Sequence, residues 1–132
     1  MKSLISAREA GNILLAGFAA LMVFHVLVLL KVVPSNIVWG GQVGDSASNF
    51  VLMEIIALVI TLLFAVIVAV KVEYLKVSRF HGIINLGIWL IFAYLILNTI
   101  ANLASGVQAE NFVFAPIGLI MAFFALRLGI EK

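Results

Sequence analysis

Several polar side chains stand inside long apolar stretches of the sequence, where polar groups are costly and usually functional, and four of them are the candidates for chemistry. They are His25, Glu54, Asn98 and Asn102. A carboxyl group in hydrocarbon must be paired, neutral or close to water, so Glu54 is a candidate ligand anchor or proton carrier. The alternative is structural: Glu54 hydrogen-bonds Asn98 or caps its helix, and simply holds the protein together.

His25 has three candidate roles in chemistry: proton partner of Glu54, metal ligand or haem ligand. Its structural alternative is a hydrogen bond between helices. Ligation of haem by two histidines is excluded, because His81 is expected about 20 Å or more from His25 along the membrane normal. One histidine and one glutamate also fall short of the three or four ligands of a zinc site. We therefore predict no metal and no cofactor.

Asn98 and Asn102 are four residues apart, which places them on one face of a helix together with Tyr94. In lipid, asparagines often hydrogen-bond a neighbouring helix. Alternatively, the two amides bind a ligand.

The segment Trp39-Gly40-Gly41-Gln42 lies between the first two apolar stretches. Its structural interpretation is an aromatic membrane anchor followed by a turn. The functional interpretation is a lid, in which the glycines let the backbone approach a ligand. Trp39 and Gln42 are therefore candidate ligand-binding residues.

The chain must fold in lipid, because 65% of its 132 residues are hydrophobic and only 11% are charged. A spanning helix needs about 20 mostly apolar residues, whereas a barrel strand is about 10 residues long and alternates in polarity. The sequence predicts an all-α polytopic membrane protein, a four-transmembrane-helix bundle forming a single domain over residues 1–132. The predicted spans are Asn12–Val33, Phe50–Val70, Ile83–Ala104 and Phe112–Ile130.

The absence of cysteine excludes disulfides, thiolate metal sites and dithiol redox chemistry. The net charge of +2 is explained by membrane orientation and does not indicate nucleic-acid binding. No nucleophile, base and orienting group can be assembled on one side of the membrane, so we predict that the protein is not an enzyme.

Basic residues cluster in short loops on the cytoplasmic side of membrane proteins. Four spans place both termini and the central loop on one side, and that side holds all but one of the eight Lys and Arg residues, the exception being Lys31. We predict that both termini are cytoplasmic. The basic residues on that side are Lys2, Arg8, Lys71, Lys76, Arg79, Arg127 and Lys132.

With this orientation, the four intramembrane polar side chains share the outer half of the bilayer. The rise of a helix places His25 about 12 Å and Glu54 about 6 Å below the outer ends of their spans. The same rise places Asn98 at about 9 Å and Asn102 at about 3 Å. The common depth predicts one polar pocket that faces outward.

Several sequence motifs together resemble a family of small uncharacterised bacterial four-helix membrane proteins. The motifs are Ile37-Val38-Trp39-Gly40-Gly41, the acid Glu54, Asn98-Thr99-Ile100-Ala101-Asn102, Phe114-Ala115-Pro116 and Leu126-Arg127-Leu128. In that family a basic residue often follows the two glycines, whereas this chain has Gln42. The resemblance implies a multi-pass protein of the bacterial inner membrane and no particular activity.

The main hypothesis is a non-enzymatic membrane protein whose outward-facing pocket binds a small molecule or lipid head group. Glu54, Asn98, Asn102, His25, Trp39, Gln42 and Tyr94 are the predicted ligand-binding residues. The alternatives are an oligomeric proton-coupled transporter or channel, and an accessory subunit of a larger membrane complex. Small residues let helices approach closely. They predict a homo-oligomer surface on the fourth helix at Gly118, Ala122, Ala125 and Gly129.

Overall fold

The computed structural model describes residues 4–30, 47–76, 81–108 and 110–131, with only the backbone described for 47–50 and 110. Four long helices account for most of these residues, and the described chain contains no β-strand. A π-helical segment, Glu110–Phe114, leads directly into the last helix. The helices are α1 (Ala7–Leu29), α2 (Ala47–Lys71), α3 (His81–Ala104) and α4 (Ala115–Gly129).

Within its described residues the protein has four helical segments long and apolar enough to cross a membrane, the fourth beginning at Asn111 and including part of the π-helix. Their outward faces carry exposed aliphatic side chains such as Val59, Leu97 and Leu103. This apolar exterior belongs in lipid, where a helix satisfies its backbone hydrogen bonds within one segment. The predicted all-α, four-helix membrane architecture is confirmed.

The helices form a ring in which each packs against its neighbours in sequence and α1 also packs against α4. Arg127 Nε donates to the Ile5 carbonyl oxygen at 2.7 Å, which joins the last helix to the residues before the first. Lys71 Nζ donates to Asn85 Oδ1 at 2.8 Å and to the Glu131 carbonyl oxygen. We call this end of the bundle, which holds both described chain ends, the basal end, and the opposite one the apical end.

α1 begins and ends earlier than the predicted span Asn12–Val33. Ser6 caps it: its hydroxyl accepts from the Glu9 N–H at 3.1 Å, while Glu9 Oε2 accepts from the Ser6 N–H at 2.8 Å. This capping box starts the helix at Ala7, within a polar segment that an apolar run does not reveal. α1 ends at Leu29, so His25 lies about 6 Å from its apical end. The depth predicted for His25 is about 12 Å, so it lies closer to the apical end of its helix than expected.

The start of α4 contains a π-helical turn that the sequence does not predict. Pro116, which suits the start of a helix because it lacks an N–H, lies in the first turn of α4. It has no N–H for the carbonyl of Phe112, and regular α-helical geometry would press its ring against that carbonyl. The wider π-helical segment ends at Phe114, just before the proline. No single residue type marks a π-turn, which is why only the proline could be anticipated.

The small residues of α4 form a seam inside the chain. A methyl group added at Gly118 would lie 2.8 Å from Thr99 Oγ1, and one added at Gly129 would lie 2.8 Å from the Trp89 ring. Ala122 and Ala125 are buried in the core. The stripe predicted to join copies of the chain therefore packs within one chain.

Candidate functional site

The buried acid contacts the histidine across the α1–α2 seam. His25 Nδ1 and Glu54 Oε2 are 2.5 Å apart and share a hydrogen bond. The Glu54 side chain is fully buried, whereas 16% of the His25 side chain is exposed. An ionised carboxylate can only accept, so it would fix the Nδ1–H tautomer of a neutral imidazole and leave Nε2 as an acceptor. The proton on this pair therefore decides what His25 offers a neighbouring molecule.

Aromatic rings hold the histidine from the α4 side. The Phe24 ring lies 5.9 Å from the His25 ring and 5.1 Å from the Phe114 ring, both edge-to-face. Such pairs are favoured because the positive edge of one ring meets the negative face of the other. The π-helical segment that ends at Phe114 thus helps to position the imidazole.

A cavity of about 570 Å³ lies beside the histidine and is lined by all four helices. This volume falls within the range of about 300–1,000 Å³ that is usual for small-molecule sites. Most of the wall is apolar or aromatic. Its described polar residues are His25, Thr61, Tyr94, Asn98, Asn102 and Ser105.

The two asparagine side chains in this wall make no hydrogen bond with another described residue. Asn102 is 93% buried, given its exposed fraction of 7%, and Asn98 is half-buried. An unpaired polar group away from water costs about 1–3 kcal/mol. Two such amides in one cavity wall indicate that water or a ligand completes their hydrogen bonds.

Two other polar side chains of the cavity lining differ in how much hydrogen-bonding capacity they have left for a ligand. Thr61 Oγ1 donates to the Ala57 carbonyl oxygen at 2.7 Å, a bond within α2. The Tyr94 ring packs edge-to-face on Phe64, with centroids 5.2 Å apart, and remains 45% exposed. Thr61 thus contributes little further polarity, whereas Tyr94 stands where the cavity wall meets the outer surface of the protein.

The structure brings most of the predicted ligand-binding residues together. His25, Tyr94, Asn98 and Asn102 line the one cavity. Glu54 stands behind the wall and reaches the cavity through His25.

Trp39 and Gln42 lie outside the described residues. Sequence reasoning missed Ser105, although it follows Asn102 by three residues and so continues the same helical face. It also missed the aromatic support of His25, for which the sequence carries no periodic signal.

The site offers few ligands to a metal. His25 and Glu54 supply one nitrogen and one carboxyl group, and the described part of the chain holds no cluster of three or more His, Asp or Glu side chains. Two protein ligands are fewer than the three or four that a zinc site requires. The arrangement is better suited to hydrogen-bonding an organic molecule.

A second polar group of residues lies at the basal end and ties the chain ends together. Arg127 is 2% exposed, and its Nη2 donates to Glu131 Oε1 at 3.1 Å. Its Nη1 is buried and has no partner among the described residues. This group is far from the cavity, at the opposite end of the helices, and its described bonds are structural.

Comparison with known proteins gives no relative for this chain: no family model, curated protein or solved structure matches it.

Proposed function

We propose that the protein is a non-enzymatic bacterial inner-membrane protein that binds a small molecule or lipid head group in the apical cavity. The observation that carries the proposal is the pair of asparagine amides, Asn98 and Asn102, which line the cavity and have no hydrogen-bond partner among the described residues. Apolar residues at these two positions would avoid the free-energy cost of unpaired amides, so the presence of asparagine at both favours a role in binding. Each amide can both donate to and accept from the ligand.

His25 and Glu54 complete the proposed site in different ways. His25 offers the ligand Nε2, and Glu54 sets the proton on the other ring nitrogen and holds the ring in place. Tyr94 contacts the ligand at the cavity edge. Trp39 and Gln42 are proposed to cover the site from the loop between α1 and α2.

The proposed orientation places the basal end in the cytoplasm. Arg8 and Lys76 belong to this end, as do Lys71 and Arg127, and cytoplasmic loops are enriched in Lys and Arg. The apical cavity then faces the outside of the cell. Because the chain has no cysteine, single cysteines can report the topology without background. A membrane-impermeant maleimide added to intact cells should label cysteine at Gly106 and not at Lys76, and the reverse pattern would contradict the orientation.

The binding proposal is tested by asking what the purified protein carries out of the membrane. Native mass spectrometry of protein released from lipid nanodiscs should show a bound small molecule or lipid on the wild type. The double variant Asn98→Leu, Asn102→Leu should lose it. Asn85→Leu is the matched control, because it makes the same change on α3 at the basal end. Equal retention by all three proteins would contradict binding at the amides.

The buried His25–Glu54 pair favours one further candidate, a proton-coupled transporter or channel formed by an oligomer. Two titratable groups in direct contact within the bilayer are typical of proton relays. In this case vesicles containing the protein should dissipate an imposed pH gradient faster than empty vesicles, and Glu54→Gln should abolish the difference. A binding protein would leave the gradient unchanged with either sequence.

A further inference from the structure

We infer that the cavity is entered sideways from the bilayer, between α2 and α3, and that it takes an amphiphile with an uncharged hydroxyl or carbonyl head. This inference rests on the proposed binding function and adds to it the route of entry and the chemical class of the ligand.

Three of the four seams between neighbouring helices are closed by direct contacts at the level of the cavity. His25 and Glu54 join α1 to α2. The Phe24 and Phe114 rings join α1 to the start of α4. Gly118 approaches Thr99 so closely that a methyl group would collide with its hydroxyl, which joins α3 to α4. These contacts hold three of the seams together beside the cavity.

Among the described residues, the contacts named across the fourth seam, between α2 and α3, lie in its basal half. Lys71 binds Asn85 at the basal end. One turn closer to the cavity, Ile67 packs on Gly87, where an added methyl group would lie 3.2 Å from its side chain. The last contact in this series is the pair of rings Phe64 and Tyr94, 5.2 Å apart.

Beyond the two rings, the facing side chains of α2 and α3 line the cavity. Met53 and Ala57 stand on the α2 side, and Asn98 and Ala101 on the α3 side. Among the neighbouring pairs, α2 and α3 also pack together least extensively. The cavity therefore separates the apical halves of these two helices.

The cavity wall reaches the outer surface along α3. Tyr94, Ala101 and Ala104 on α3 line the cavity and are exposed, and on α4 Ile117 shares both properties. In a membrane, that outside surface faces lipid. A molecule dissolved in the bilayer can thus reach the asparagine amides past small alanine side chains.

The polar groups of the cavity suit an uncharged head. Its described lining contains no Lys, Arg, Asp or Glu. A phosphate or carboxylate head would find no Lys or Arg in this described lining and would lie near the carboxyl group of Glu54, at a high desolvation cost. A hydroxyl or carbonyl group meets the needs of amide donors and acceptors without carrying a charge into the protein.

The basal part of the cavity suits an apolar chain. It is lined by Phe18, Phe64, Leu95 and Met121. Phe18 lies seven residues before His25, which is about 10 Å along the axis of α1. An amphiphile can therefore place its head at His25 and the asparagines and its hydrocarbon against these side chains or out through the gap.

The experiment uses three photoreactive probes with the same diazirine-bearing alkyl chain and a hydroxyl, phosphate or amine head. The full-length protein is reconstituted in lipid nanodiscs, irradiated with each probe, and digested to find the labelled residues. The variant Ala101→Trp places a large ring at the gap. Ala93→Trp is the matched control, because Ala93 is exposed on the same helix and does not line the cavity.

We expect the hydroxyl probe to label the cavity wall at least about tenfold more than the phosphate or amine probe, a preference that corresponds to about 1.4 kcal/mol. Ala101→Trp should reduce this labelling to background, and Ala93→Trp should not. Thermal unfolding of both variants checks that they remain folded. If Ala101→Trp does not fold, Ala57→Phe places a large ring at the gap from the α2 side instead.

Each remaining outcome overturns a defined statement. Cavity labelling that prefers a charged head overturns the uncharged ligand and leaves the binding function standing. Cavity labelling that survives both gap variants overturns the sideways entry. If no probe labels the cavity, while native mass spectrometry shows a molecule bound through the asparagines, the ligand is not an amphiphile. If neither method finds a bound molecule, the proposed function itself fails.

Discussion

Replacing Asn102 by leucine should make the ligand-free protein more stable. Leucine has nearly the shape of asparagine and carries no group that needs a hydrogen bond. Asn102 is 7% exposed and its amide has no partner among the described residues. The substitution therefore removes an unsatisfied amide from the folded protein and leaves the surrounding helix contacts in place.

The size of the effect follows from the cost of the unpaired amide, about 1–3 kcal/mol. Water reduces this cost, since a cavity of about 570 Å³ has room for several molecules of about 30 Å³ each. The unfolded chain in a membrane also finds partners for its polar groups, which lowers the measured difference further. We therefore expect the free energy of unfolding to increase by about 1 kcal/mol. For a chain of this length, that raises the unfolding temperature by about 3–5 °C.

The assay is thermal unfolding in detergent after delipidation, so that no bound molecule contributes to stability. Asn85→Leu is the matched control on the same helix: Asn85 Oδ1 accepts from Lys71 at 2.8 Å, so this change removes a bond and should lower the unfolding temperature. The two variants should thus shift it in opposite directions. If Asn102→Leu lowers it as much as Asn85→Leu does, the amide holds the helices together and the argument for a binding site fails.

Two further predictions concern the packing around the cavity. Gly118→Ala should destabilise the protein by about 1–3 kcal/mol, because its methyl group would lie 2.8 Å from Thr99 Oγ1. At Gly82, an added methyl group would meet no atom within 4 Å beyond its own helix backbone, so Gly82→Ala should change stability by less than about 1 kcal/mol. Equal effects of the two substitutions in chemical unfolding would contradict the close approach of Gly118 to Thr99. A double-mutant cycle with His25→Leu and Glu54→Leu should give a coupling energy of about 1–3 kcal/mol. Additive effects would mean that the hydrogen bond between them does not contribute to stability.

Much of the architecture follows directly from the sequence, because lipid imposes a simple rule on composition and length. Long apolar runs predict the helices, and the predicted span Ile83–Ala104 nearly coincides with α3. The exact helix ends depend on local hydrogen bonds, which an apolar run does not encode. For α1, the capping box of Ser6 and Glu9 moves the start by five residues relative to Asn12.

The candidate site was likewise predictable from the sequence only in part. The spacing of four residues correctly places Asn98 and Asn102 on one face, since it depends only on the geometry of a single helix. The partner of Glu54 depends on the rotation of α2 against its neighbours, and no spacing within one helix determines that rotation. The sequence left both Asn98 and His25 open as partners of Glu54, and the structure places His25 in contact with it.

The hydrogen bond from Arg127 to the Ile5 carbonyl joins residues 122 positions apart. The ring of helices therefore cannot close until α4 has been synthesised and has reached α1. Until α4 arrives, neither the α1–α4 nor the α3–α4 contact can form, and the cavity lacks one of its walls.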